Sequence, residues 1–126
     1  MSLSTLTQER VKVLIVDDND DQRNLLRRHF EIAGCEVTDA ATAESAISVY
    51  GDLDLDLAVI DLMLPGMDGW ALSERLLADV PDCPVAISSV LDQENYPPMR
   101  AALPKPVTRA SVREVLLNCV PRWIAP

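Results

Sequence analysis

Three aspartates that follow apolar runs are the residues best placed to do chemistry. Asp17 and Asp18 come directly after VKVLIV, and Asp61 comes directly after LAVI. Clustered carboxylates repel one another, and two unit charges roughly 4 Å apart cost about 4 kcal/mol at an effective dielectric near 20. A hard divalent cation relieves that repulsion, and Mg²⁺ commonly binds one or two protein carboxylates. The pattern therefore predicts an acidic Mg²⁺ pocket.

The two apolar runs are expected to be strands that position these acids. Short apolar runs bounded by turn signals are typical of buried strands, and strands buried on both faces belong to parallel sheets covered by helices. Residues 11–16 and 57–60 fit that description. Ligands bind at the carboxyl ends of the strands in such sheets, so the acids should converge there.

The rest of the chain alternates between helical and extended patterns. Helices are predicted over 20–33, 42–50, 68–79 and 109–120, and further strands over 35–40 and 84–88. Thr42 and Thr108 are the expected N-caps, and Gly34 and Gly51 the expected stops. Strands that alternate with helices indicate right-handed crossovers in a parallel sheet. The residues expected to face the core from the first and third helices are Leu25, Leu26, Phe30, Ala33, Leu72, Leu76 and Leu77.

Residues 90–105 break the alternation because prolines interrupt them. Proline removes a backbone donor and clashes with the preceding turn, so no long helix is expected. A turn or two is predicted around Pro98 to Ala102. Residues 101–105 remain possible as an edge strand, where proline is tolerated. The prolines are Pro97, Pro98, Pro104 and Pro106.

Length and charge narrow the class of protein. The 126 residues suit one domain, and a net charge of −9 disfavours direct contact with nucleic acid or an anionic membrane surface. No apolar run reaches membrane-spanning length, and MSLSTLTQER lacks the apolar core of a secretion signal. The widely spaced Cys35, Cys83 and Cys119 suggest reduced thiols. A cytoplasmic location is expected.

Four features in order resemble the receiver domain of two-component response regulators. They are the double acid after the first strand, the run DLMLPGMDG, a hydroxyl after the fourth strand, and Lys105–Pro106. The resemblance covers residues 11–120 and identifies 1–126 as a single receiver domain. It implies a doubly wound α/β fold, with a five-stranded parallel sheet in the flavodoxin-like order 2-1-3-4-5 and helices on both faces.

The resemblance also assigns roles around Asp61, which would be the phosphoacceptor. In the family, a histidine kinase or phosphotransfer protein donates the phosphoryl group from a phosphohistidine. Asp18 would bind Mg²⁺ directly, Asp17 through a water molecule, and the carbonyl of Met63 would add a ligand. The output would pass to an effector protein or domain that the sequence does not name.

Two more roles follow from the resemblance. Lys105 would place its ammonium against the phosphoryl oxygens, and the family has a cis peptide after this lysine, which Pro106 makes inexpensive. Ser89 would be the switch hydroxyl, with Ser88 the second choice. In the family this hydroxyl moves to the new phosphoryl oxygen and carries the following loop with it.

Three departures from the family pattern affect the segment after Ser89. The separation from Ser89 to Lys105 is 105 − 89 = 16 residues, shorter than the family pattern by roughly one to two helical turns. Ala102 stands where an aromatic is common, and Val90 stands where alanine or glycine is usual. These differences predict a shortened or irregular fourth helix. They also predict phosphorylation without use of the family's usual output face.

Two alternatives to a phosphoacceptor switch stay open. A degenerate receiver could act as a phosphorylation-independent interaction or dimerisation module. A Mg²⁺-dependent phosphatase or phosphotransferase for a small molecule is disfavoured, because Leu62 and Met63 follow Asp61 and no second carboxylate is at hand. The preferred hypothesis is a signalling module and not an enzyme that turns over a metabolite.

Overall fold

Five strands form one parallel sheet in a computed structural model, which describes residues 10–91, 93–96 and 98–126. Across the sheet the strands lie in the order second, first, third, fourth and fifth along the chain, and every neighbouring pair is parallel. The predicted order 2-1-3-4-5 is therefore confirmed. The strands are β1 (Lys12–Val16), β2 (Glu36–Ala40), β3 (Leu57–Ile60), β4 (Val85–Ile87) and β5 (Ala101–Ala102).

Four α-helices of the described residues connect and cover these strands. Each begins after a side chain that accepts a hydrogen bond from the backbone N–H three residues later, which satisfies one of the free donors of the first turn. The caps at Thr42 and Thr108 were predicted, and both are confirmed. The helices are α1 (Asp20–Ile32), α2 (Ala43–Tyr50), α3 (Gly69–Asp79) and α4 (Arg109–Cys119).

The sheet separates two apolar cores. Residues 13–16 of β1 are 0% exposed, as expected for a strand covered on both faces. Odd-numbered residues of β1 and β3 join a core with α1 and α4, whereas even-numbered residues join a core with α2 and α3. Since successive side chains of a strand point to opposite faces, the continuous apolar runs fill both cores.

Two leucines that were expected to face the core are partly exposed. Leu25 is 38% exposed and Leu77 is 47% exposed, whereas Leu26 and Leu76 are buried. Adjacent residues of a helix are separated by about 100° around its axis. Because Leu26 and Leu76 occupy the positions that face the sheet, their neighbours lie at the solvent boundary.

The segment between β4 and β5 contains no α-helix among its described residues. Its regular structure is one 3₁₀ turn, Gln93–Asn95, which confirms the shortened, irregular fourth helix. The turn predicted around Pro98 to Ala102 is wrong, since Ala101–Ala102 pairs with β4. The alternative of an edge strand within residues 101–105 is the one that the structure bears out. Asp92 and Pro97 lie outside the described residues, as do residues 1–9.

Two remaining expectations concern cysteines and membranes. Cys35, Cys83 and Cys119 are free and buried. None of the helices in the described part of the chain has the length and apolar character needed to cross a membrane.

Candidate functional site

The hydrogen-bond ladder of the sheet places two aspartates at its carboxyl edge. The Asp17 amide donates to the Ala40 carbonyl at 3.1 Å, and the Asp61 amide donates to the Val16 carbonyl at 2.9 Å. Asp17 is 0% and Asp61 is 5% exposed, while Asp18 faces solvent. The strands thus bring together acids that are far apart in sequence.

Lys105 reaches both buried acids. Its Nζ lies 2.8 Å from Asp17 Oδ2 and 3.1 Å from Asp61 Oδ2. The lysine side chain is only 8% exposed, so the ammonium sits between two carboxylates with little competition from water. The peptide bond from Lys105 to Pro106 is cis, as the family resemblance implied.

Backbone amides hold the other oxygen of each buried carboxylate. The Asn19 amide donates to Asp17 Oδ1 at 2.9 Å, and the Met63 amide donates to Asp61 Oδ1 at 3.0 Å. In both cases the donor lies two residues after the aspartate, the geometry by which aspartate stabilises a turn. Each carboxylate is therefore oriented by one amide and one ammonium.

Burial and charge shift the proton affinities of this group. Burial raises the pKa of Asp61, the negative charge of Asp17 adds to that effect, and the Met63 amide and Lys105 oppose it. Burial would lower the pKa of Lys105, but its contacts with Asp17 and Asp61 outweigh that effect and raise it. The lysine is accordingly charged at neutral pH.

The three aspartates also have the arrangement of a cation site. One carboxylate oxygen from each of Asp17, Asp18 and Asp61 lies within 4.8 Å of the others. Three ionised carboxylates and the Lys105 ammonium leave two uncompensated negative charges. Hard oxygen donors with that charge suit a divalent cation such as Mg²⁺. The predicted carbonyl ligand, Met63, lies beside the group through its amide contact with Asp61.

The two candidate switch serines are both fully buried. The Ser88 amide donates to the Ile60 carbonyl at 2.9 Å and so extends the β3–β4 ladder. Ser89 is joined to Lys105 through the main chain, because its carbonyl accepts from the Lys105 amide at 3.1 Å. The Ser89 hydroxyl accepts from the Leu91 amide at 3.3 Å, whereas no described residue bonds the Ser88 hydroxyl.

The loop after Asp61 depends on two glycines, Gly66 and Gly69. Gly66 has φ +69°, a conformation that other residues adopt only with strain. A Cβ on Gly69 would lie 2.1 Å from the Asp61 carbonyl oxygen. The first turn of α3 therefore packs directly against the backbone of the candidate acceptor.

The approach to Lys105 is an open depression on the protein surface. Its lining includes Asn19, Gln22, Val90 and Pro106. Val90 is 75% exposed, so the unusual residue after Ser89 does stand at the entrance.

Tyr96 contacts the site and was not found from the sequence. Its hydroxyl donates to the Ser89 carbonyl at 2.7 Å and accepts from the Ser89 amide at 3.1 Å. The sequence offered only the absence of an aromatic at Ala102. A tyrosine within a proline-rich segment carries no periodic or motif signal that would connect it with Ser89.

Comparisons with known proteins agree with this architecture. A family model described as response regulator receiver domain matches residues 13–116. The chain is 38% identical over 82 residues to the heme response regulator HssR of Staphylococcus haemolyticus, covering 65% of this chain and 36% of that protein. The chain spans between 21% and 37% of the length of three curated relatives that it matches.

Solved structures show the same fold. A CheY-like receiver domain protein from Methanospirillum hungatei has a TM-score of 0.79 at 26% identity, covering 86% of this chain and 92% of that one. The response regulator protein TrrA from Thermotoga maritima, solved in complex with Mg²⁺–BeF, has a TM-score of 0.80 at 18% identity, covering 87% and 99%. With the family match spanning most of its length, this chain belongs to the response regulator receiver domain family of two-component signalling systems.

Proposed function

We propose that Asp61 is the phosphoacceptor of a Mg²⁺-dependent switch in a phosphorelay. The observation that supports this most directly is the Lys105 ammonium, which lies between the buried carboxylates of Asp17 and Asp61. Asp18 completes an acidic group at the same edge of the sheet. A carboxylate paired with Lys105, which itself lines an open depression, is suited to accept a phosphoryl group.

The reaction forms one bond and breaks one. A carboxylate oxygen of Asp61 attacks the phosphorus of a phosphohistidine on a histidine kinase or phosphotransfer protein. The new O–P bond produces an acyl phosphate while the P–N bond breaks. The electron pair returns to the imidazole nitrogen, which takes up a proton. Carboxylates form such covalent intermediates in other phosphoryl transfers.

The residues around Asp61 supply positioning and charge, which dominate catalysis of phosphoryl transfer. Lys105 starts 3.1 Å from Asp61 Oδ2, so its ammonium is placed to pair with an incoming phosphoryl oxygen. The Met63 amide fixes the orientation of the Asp61 carboxylate. Asp17, Asp18, Asp61 and the Met63 carbonyl would hold Mg²⁺, which would supply positive charge to offset the negative charges of the carboxylate and the phosphoryl oxygens.

Phosphorylation then changes the conformation after β4. The Ser89 hydroxyl leaves the Leu91 amide and bonds a phosphoryl oxygen, which shifts a two-state equilibrium of the following segment. Asp61, Ser89 and Lys105 are the residues assigned to the chemistry and its readout. The switch passes the signal to an effector protein or domain and does not turn over a metabolite.

The same proposal covers the setting in which the domain works. Residues 1–126 act as one receiver domain, with a core over about 11–120, in the cytoplasm. A net charge of −9 favours protein partners over direct contact with nucleic acid or membranes.

Intact mass spectrometry tests the proposal. The chain is incubated with a small phosphodonor and Mg²⁺, with and without a chelator. We expect one phosphoryl adduct that depends on Mg²⁺ and is lost in Asp61→Asn. Asp52→Asn is the matched control, because Asp52 is an exposed aspartate of the α2–β3 loop. That variant should be modified as readily as the wild type.

The possible outcomes separate the alternatives. No adduct under saturating donor would contradict the proposal and support the phosphorylation-independent interaction module. Continuous rapid release of phosphate would support the small-molecule enzyme. An adduct that persists in Asp61→Asn would place the acceptor at another residue.

A further inference from the structure

Tyr96 makes an unusual pair of hydrogen bonds with one residue. Its hydroxyl donates to the Ser89 carbonyl at 2.7 Å and accepts from the Ser89 amide at 3.1 Å. A phenol has one proton to donate, and here it is used on the residue proposed as the switch. Both main-chain polar groups of Ser89 therefore face a single side chain.

A continuous series of contacts joins this tyrosine to the acceptor. Tyr96 bonds the Ser89 carbonyl, and the same carbonyl accepts from the Lys105 amide at 3.1 Å. The Lys105 ammonium in turn lies 3.1 Å from Asp61 Oδ2. Hydrogen bonds and the side chain of Lys105, which connects its amide to its ammonium, therefore link Asp61 to Tyr96.

We propose that Tyr96 is a positioning residue that latches the switch in its unphosphorylated state. The inference rests on the proposed phosphorylation of Asp61 and adds the residue through which the signal leaves the site. In the latched state the Ser89 hydroxyl bonds the Leu91 amide. Phosphorylation draws that hydroxyl toward Asp61 and releases Tyr96.

The geometry explains why the latch responds to a movement of Ser89. The phenol can hold the amide and the carbonyl of Ser89 only while both point toward it. Rotation of either peptide next to Ser89 breaks at least one of the two bonds. The proposal requires the main chain from Ser89 to Leu91 to turn when the Ser89 hydroxyl leaves the Leu91 amide for a phosphoryl oxygen, because rotation of the serine side chain alone would leave both bonds to Tyr96 intact.

The latch also accounts for two features in which this chain departs from the family pattern. Ala102 supplies no aromatic ring beside the switch hydroxyl, and the described residues between β4 and β5 form no α-helix. Tyr96 follows the 3₁₀ turn Gln93–Asn95 directly, and its amide bonds the Gln93 carbonyl at 3.0 Å. Its release would free the segment that connects β4 to β5.

The latch equilibrium and the binding of a phosphoryl group are linked, and this sets the direction in which loss of the latch changes the affinity. Hydrogen bonds made only in the latched state oppose binding of a phosphoryl group, so their removal favours it. Tyr96→Phe keeps the ring and removes the hydroxyl. We expect the variant to bind Mg²⁺–beryllofluoride, used as the phosphoryl probe, roughly five- to thirtyfold more tightly than wild type.

Two measurements test the latch. Titrations with Mg²⁺ and beryllofluoride, followed by the amide chemical shift of Asp61, give the affinity of each variant. Hydrogen exchange of the Ser89 amide reports the latch itself, and should accelerate in Tyr96→Phe and, in wild type, on binding of the probe. Tyr50→Phe is the matched control, because Tyr50 is the other of the two tyrosines and its hydroxyl bonds Asp79. The control should match wild type in both measurements.

Each result has a definite meaning. The latch would be contradicted by equal affinities of wild type and Tyr96→Phe for the probe. It would also be contradicted by an exchange rate of the Ser89 amide that does not change when the probe binds. Either result would leave the proposed function intact. A wild-type protein that does not bind the probe would overturn both. Tighter binding cannot be explained by a purely structural role for the hydroxyl, whose loss would leave affinity unchanged or lower it.

Discussion

The acceptor site and the segment that follows β4 share one edge of the sheet but are held in different ways. Asp17 and Asp61 directly follow the central strands β1 and β3. The residues that pair between these two strands are buried. The described residues from Val90 to Arg100 contain one 3₁₀ turn and are mostly exposed or half-buried. Polar contacts such as those of Tyr96 hold that segment in place.

The two regions differ in how firmly they are held, and each suits a different function. A phosphoacceptor needs fixed geometry, which buried and fully hydrogen-bonded strands supply. A segment that reports phosphorylation must move at low cost, and moving elements come from the least stable parts of a fold. The proline-rich sequence after Ser89 meets that second requirement.

Hydrogen exchange should show the largest difference between the two regions. We expect amides of β1, such as Leu14 and Ile15, to exchange only through global unfolding. The Tyr96 amide should exchange through local opening, on the order of 10³-fold faster after correction for sequence. Exchange measured by NMR at neutral pH checks this. Equal protection of the two regions would contradict the proposed difference in local stability.

Removal of the Lys105 ammonium should strongly destabilise the fold around Asp17 and Asp61. Lys105→Met leaves Asp17 and Asp61 buried without their partner, and such a loss costs about 3–5 kcal/mol of unfolding free energy. Urea denaturation at pH 7 measures this cost. Arg28→Met, which removes an exposed cation from α1, should cost well under 1 kcal/mol.

The Lys105→Met variant should also recover stability as the pH falls from 7 toward 5. Burial and the charge of Asp17 already raise the pKa of Asp61 in the wild type, and loss of the ammonium raises it further. The folded variant then binds more protons than the unfolded chain, so acid favours folding. A loss that is independent of pH would argue for a packing defect instead.

A methyl group at Gly69 should distort the loop that supports Asp61. Its Cβ would lie 2.1 Å from the Asp61 carbonyl oxygen and 2.5 Å from the Leu62 Cα. Both are backbone atoms, and overpacking of this kind typically costs about 1–3 kcal/mol. Gly51→Ala is the control, because nothing lies within 4 Å of its Cβ. Thermal denaturation of the two variants should separate them clearly.

Alkaline pH should lower the free energy of unfolding by a smaller amount, through two buried thiols that lie away from the site. Burial raises the pKa of Cys35 to about 11 and that of Cys83 to about 12. Above pH 9 the unfolded chain loses these protons while the folded chain keeps them, so stability falls. The expected loss is about 1.4 kcal/mol per thiol at pH 10. Urea midpoints from pH 7 to pH 10 should fall less steeply in Cys83→Ala.

The strands that precede Asp17 and Asp61 were predictable from the sequence because their residues are buried on both faces of the sheet. Strands of that kind must be continuously apolar, so β1 and β3 are visible in the sequence and the acids at their ends are conspicuous. The caps at Thr42 and Thr108 were also visible, because capping depends on a few consecutive residues. Leu25 and Leu77 were predicted wrongly, since an apolar residue beside a core-facing leucine looks the same in sequence whether buried or half-exposed.

Apolar runs bounded by turn signals, alternating with helical patterns, were enough to predict a parallel sheet with aspartates at the carboxyl ends of two strands. The strand order 2-1-3-4-5 was implied by the family resemblance, and the structure confirms it. The individual hydrogen bonds at that site are set by the tertiary structure. Lys105 is 88 residues from Asp17 and 44 from Asp61, and the Tyr96 hydroxyl selects main-chain atoms of Ser89 that no side-chain pattern reveals. Such contacts depend on the directions of strands and loops in space, which spacing along the chain does not specify.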